Sequence, residues 1–113
     1  MSKLDDKVAK YAEDIKKKIG EEPNADLLRK VTKGCGPTIY KPDAEKVSAG
    51  DPQELERIKK NFLIKKLGLK DTPKLDEGIQ QAIETYGRSN RSKYRAVFYY
   101  LLVKQFRKAS AYK

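Results

Sequence analysis

The chain has 113 residues, with 26 Lys and Arg against 16 Asp and Glu, one Cys and no His or Trp, for a formal charge of +10. A length near 110 residues sets a single domain over residues 1–113 that removes about two thirds of the unfolded chain's surface from water; charged residues at 37% put a small core under a very polar skin. Without His there is no imidazole base or ligand, and a lone Cys35 excludes a Cys–His dyad, a zinc site and an internal disulfide, so the composition predicts no enzyme, no metal and no cofactor.

Between Gly and Pro marks the apolar residues recur at three and four rather than two, which predicts an all-α fold of about five helices. Ser2 with Asp5 suggests the first N-cap; Val8, Ala12, Ile15 and Ile19 then follow one face until Gly20, with Lys16, Lys17 and Lys18 in the last turn. A second helix, capped by Asn24, buries Leu27, Leu28 and Val31 and stops at Gly34, where the Gly34-Cys35-Gly36-Pro37 segment must leave the ladder. From there to Gly50 the pattern is irregular, with Ile39, Tyr40 and Val47 expected to tuck onto the core and one short helical turn after Asp43. Asp51, Pro52 and Glu54 form a strong start signal, with Glu54 completing a capping box, for a helix to Gly68 that buries Leu55, Ile58, Phe62, Leu63 and Leu67. Asp71-Thr72-Pro73 repeats the signal for a helix through Leu75, Ile79, Ala82, Ile83 and Tyr86 to Gly87. Ser89 or Asn90 is expected to cap a last helix to about Lys108, apolar on nearly every side and therefore central to the bundle.

The longest apolar run, Ala96 to Val103, is eight residues, far short of the about 20 that span a bilayer. The charged amino terminus lacks a signal-peptide core, and with the unpaired Cys35 this places the expected location in the cytoplasm.

Three stretches, Lys30 to Tyr40 (KVTKGCGPTIY), Asn61 to Leu69 (NFLIKKLGL) and Lys93 to Leu102 (KYRAVFYYLL), resemble a bacterial family of small helical proteins catalogued as domain of unknown function 2853. The likeness covers almost the whole chain. It implies a bacterial, single-domain helical protein and brings no activity, cofactor or site residue with it.

The charge is unevenly divided: residues 1–56 carry 11 basic and 12 acidic side chains, residues 57–113 carry 15 and 4. Arg57, Lys59, Lys60, Lys65, Lys66 and Lys70 form one acid-free segment, and residues 87–113 form another. Projected at about 100° per residue, Lys93, Lys104, Arg107 and Lys108 share one stripe of the last helix with Tyr100 among them, a surface for polyanion binding together with Lys59, Lys60, Lys65 and Lys66. Tyr100 either lies under those cations or offers a base a stacking surface. The other aromatics of the run, Tyr94, Phe98, Tyr99 and Phe106, are expected to pack the core.

Arg91 and Arg95 fall in line with Phe98, Leu102 and Phe106, the stripe that should face the core. Either Arg95 is partly buried and held by a carboxylate from another helix or by helix-end carbonyls, or Arg88, Ser89, Asn90, Arg91 and Arg95 form an anion site at a helix N-terminus. Gly34-Cys35-Gly36 lacks the frame of a phosphate-binding loop and is expected to be a helix stop, with Cys35 a packing residue or unreactive thiol.

Three functions follow. One is a polyanion-binding protein, nucleic acid being the foremost ligand, without base-specific readout because Lys outnumbers Arg 20 to 6 and no helix-turn-helix signature stands out. The alternative is a protein-interaction module, a homodimer or acidic-partner subunit, using apolar edge residues Ile64, Leu69 and Val103. A small-anion domain built on Arg91 and Arg95 is a third.

Overall fold

The computed structural model describes residues 3–112, so the helix cap expected at Ser2 lies outside the described residues. The chain runs through α1 (Lys3–Lys18), α2 (Ala25–Gly34), a 3-10 turn (Gly36–Tyr40), the one-turn α3 (Pro42–Glu45), α4 (Pro52–Ile58), a π-helix (Lys59–Lys66), α5 (Pro73–Tyr86), α6 (Arg95–Gln105) and a last 3-10 turn (Ala109–Tyr112). The fold is all-α, and no strand is present among the described residues beyond a single Lys46–Tyr94 bridge.

The helix starts follow their local chemistry. Asn24 opens α2 by accepting the Leu27 N–H on Oδ1 at 3.1 Å, and Asp51 opens α4 by accepting the Gln53 N–H at 2.9 Å. Pro52 and Pro73 each stand at the start of a helix, where a missing N–H has no cost. α2 ends at Gly34 as expected, and the left-handed residue that turns the chain out of the helix is Gly36, with φ +68°.

Glu54 does not close a capping box. Its carboxylate turns away from the Asp51 backbone to Arg57 and Arg95. The helix expected over 52–68 also changes type: after Ile58 the bonds lengthen in register to a π-helix, with Leu67 N–H donating to Phe62 C=O at 2.9 Å. Ile58, Phe62, Leu63 and Leu67 remain on the buried side and Leu55 is half-buried.

α6 is the central element. Ala96, Val97, Phe98 and Tyr100 to Val103 are all buried, and the helix packs on α2 and α5 as well as α1 and α3. Gly78, in the interior of α5, makes room for this packing: a methyl group there would collide with the Phe106 ring, and Gln105 donates to the Gly78 carbonyl at 3.0 Å.

Both ends of α6 differ from the sequence expectation. It begins at Arg95 rather than after Ser89 or Asn90, because Val47 N–H donates to Lys93 C=O at 2.9 Å and holds residues 93–94 extended as the partner of Lys46. It stops at Gln105 because Arg107 is left-handed (φ +55°); Arg107 N–H bonds to Lys104 C=O and Lys108 N–H to Val103 C=O, the double closure of a Schellman motif. Arginine stands where glycine is usual, so no residue type announced the stop. Tyr40, expected against the core, is instead 45% exposed, while Ile39 and Val47 are buried as expected.

Candidate functional site

The basic stripe predicted along the last helix does not form. Of its members only Tyr100 and Lys104 lie within α6; Lys93 precedes it, and Arg107 and Lys108 follow its end. Tyr100 is 1% exposed and its hydroxyl accepts the Asn24 N–H at 2.8 Å, so it ties α6 to the start of α2 and offers no base a surface. Lys104 passes over that ring, 5.5 Å from its centroid, and pairs with Glu21 at 3.3 Å. Lys93 is 2% exposed. Its ammonium donates to the backbone carbonyls of Arg88 and Asn90, and burial, then the charges of Arg88 and Lys18, hold its pKa below the usual lysine value.

The other predicted cations are partly neutralised. Lys59 bridges Asp71 and Asp76 at 3.3 and 3.2 Å, Lys60 lies 3.6 Å from Glu56, and Lys66 sits over the Tyr112 ring. Lys65 is exposed and has no partner among the described residues.

Arg95 takes the structural role. Its guanidinium donates to Glu54 at 2.8 Å, to the Ala44 carbonyl at 2.9 Å and to the Tyr99 hydroxyl at 3.1 Å. Burial alone would raise the Glu54 pKa, but the hydrogen bonds from Arg57 and Arg95 outweigh it and hold the carboxyl below its ordinary value. Both expected holders of Arg95, a carboxylate from another helix and a carbonyl at a helix end, are therefore present at once.

The remaining predicted anion residues are in the loop before α6, not at its N-terminus. Arg88, Asn90, Arg91 and Lys93 form one wall of a cleft of about 440 Å³, and the segment from Pro42 to Gly50 forms the other. Lys46 adds a fourth cation, and Asp43 is the one carboxylate lining it. Arg88 leans toward α5, paired with Glu84 and donating to Gln80 at 3.1 Å. Arg91 is exposed and has no hydrogen-bond or ion-pair partner among the described residues, which corrects its expected alignment with the core. Ser89 is exposed and does not line the cleft.

Asn90 braces the loop: Oδ1 accepts the Ser92 N–H at 3.0 Å and the Lys18 ammonium at 3.2 Å. Its Nδ2 is closed off from solvent with no acceptor among the described residues, a deficit of about 1–3 kcal/mol. The N–H groups of Ala49 and Gly50, on the opposite wall, are also without protein acceptors among the described residues. The arrangement suits an anion. Lys46 was missed in the sequence because it lies in the near-neutral first half, 42 residues before Arg88, and long-range pairing such as the Lys46–Tyr94 bridge brings the two segments together.

The described residues hold no group of three or more His, Cys, Asp or Glu side chains placed for a metal ion, and none of their helices is long and apolar enough to cross a membrane. No curated protein matches the chain. The family described as Protein of unknown function (DUF2853) matches residues 10–110, the same family that the three sequence stretches resembled, and the chain belongs to it.

Proposed function

We propose that this is a non-enzymatic cytoplasmic protein that binds a polyanion, nucleic acid foremost, with the cleft between residues 42–50 and 88–93 as its principal phosphate contact. The observation that carries this reading is the polar cleft on which Lys46 and the unpaired Arg91 face a single Asp43, its walls also holding Arg88, tied to Glu84, and the buried Lys93. Cations elsewhere on the surface add to the positive charge. Their exposed ion pairs, such as Lys60–Glu56 and Lys104–Glu21, are each worth about 0–1 kcal/mol, so a phosphate chain displaces the carboxylates at little cost. Binding of this kind follows backbone charge and carries little base preference.

The alternative reading, an interaction module for an acidic partner or a second copy, loses part of its apolar support. Val103 is fully buried, and Ile64 and Leu69 are half-buried against the core.

The test is fluorescence anisotropy with short DNA duplexes and single-stranded RNA at about 50 and about 200 mM salt. The expected result is binding whose affinity falls steeply with salt, and whose salt slope shrinks by about one unit for each of Lys46→Gln and Arg91→Gln. Absence of binding at the lower salt removes the polyanion reading; salt-resistant self-association replaces it with the interaction module.

A further inference from the structure

A second cavity, of about 280 Å³, lies where the end of α2, the π-helix, α6 and the last 3-10 turn meet. This is just under the ~300–1,000 Å³ of most ligand clefts, so it suits a small occupant. Three aromatic rings wall it: Phe62 and Tyr99 are stacked with centroids 3.9 Å apart, and Tyr112 closes over Gly34. Lys66 and Arg95 both line it, and no carboxylate does. Arg95 keeps its Glu54 partner outside the lining, whereas the Lys66 ammonium has only the face of the Tyr112 ring, 4.7 Å from the centroid.

Two further features point to a built pocket. Asn61, Phe62 and Lys66 come from the π-helix, a rare local geometry that recurs at functional sites. Cys35 forms part of the wall, and burial pushes its thiol up to about 12 despite the nearby Arg95, so it presents a neutral, unreactive surface to an occupant.

We propose that this cavity is a binding site for a small planar aromatic carboxylate, its ring against the aromatic walls and its carboxylate toward Lys66. An apolar slot with cations and no acid selects this class over a neutral aromatic, because the carboxylate gains a charge-assisted hydrogen bond that an amide cannot match. The site shares no lining residue with the cleft between residues 42–50 and 88–93.

The experiment is a titration with naphthoate and, in parallel, with neutral naphthamide, followed by the proton–nitrogen NMR signals of Gly34, Gly36 and Asn61. Naphthoate is expected to give saturable shifts at these positions, with naphthamide about tenfold weaker or more. Lys66→Gln should weaken naphthoate by a similar factor, while Arg107→Gln, which removes the same charge elsewhere, leaves it unchanged. Lys66 is exposed, so Lys66→Gln is expected to keep the wild-type melting temperature. The proposal is overturned by equal binding of the amide, by an equal loss in Arg107→Gln, by shifts confined to other residues, or by no saturation up to about 10 mM.

Discussion

Arg91 and Arg95 are four residues apart, yet the fold uses them in opposite ways. Arg95 is tied to Glu54, Ala44 and Tyr99, its side chain 17% exposed. Arg91 stands in solvent at the mouth of the cleft with no partner among the described residues. The extended link at residues 93–94 causes the difference, since it places Arg91 in a loop and Arg95 in the first turn of α6. Positive charge in this protein is therefore of two kinds, one that holds helices together and one that is left over for a ligand, and total charge does not distinguish them.

The largest expected effect is on the structural side. Arg95→Met leaves the Glu54 carboxylate nearly buried with only Arg57 to pair it, and should cost about 3 kcal/mol by chemical denaturation; a loss under ~1 kcal/mol would show that Arg95 is as dispensable as Arg91. Lys93→Met comes next. It keeps the buried stem but strips the 88–90 turn of its ammonium donor, with an expected loss of about 1–2 kcal/mol.

Acid should act on the structural kind alone. Glu54 and Glu45 both ionise at lower pH in the fold than in the unfolded chain, Glu45 because the bonds from Lys7 and Tyr11 and the charge of Lys10 outweigh its burial. Their contribution is complete above the ordinary glutamate value of about 4.3 and drains away as pH falls below it through the depressed folded values. Glu54→Gln should accordingly be less stable at neutral pH and show a flatter loss of stability below about pH 4. The smallest effect belongs to Arg91→Gln: melting unchanged within about 0.5 kcal/mol while polyanion affinity drops. A stability change as large as that of Lys93→Met would erase the distinction.

Helix positions were legible where a residue type marks them, as at Asn24, Asp51, Pro73 and Gly87. Two features had no such marker. A π-helix keeps the apolar residues 58, 62, 63 and 67 that an α-helix also predicts, so spacing alone does not separate them. The left-handed Arg107 lacks the glycine that would have ended α6 in the sequence. Missing both ends of α6 is what produced a basic stripe from Lys93 to Lys108, because helical projection has meaning only inside the helix. Of the two expectations for Arg95, the partly buried charge held by partners is the one the fold shows, since Arg95 falls within α6 beside Phe98 and Leu102. The cleft was half visible: Arg88, Asn90 and Arg91 stood out as a cluster, but their facing wall depends on a long-range pairing that no local pattern encodes.

That pairing also fixes how the cleft behaves. The bond from Val47 N–H to Lys93 C=O joins the two walls at their base, and both side chains beside it, Val47 and Lys93, are buried. The walls are thereby sewn into one body, and the cleft is a mould of set width rather than a jaw that closes. An anion entering it has little chain left to order, so occupancy should leave hydrogen exchange at the Val47 amide as slow as before and register instead at Ala49, Gly50 and Arg91, the positions at the rim.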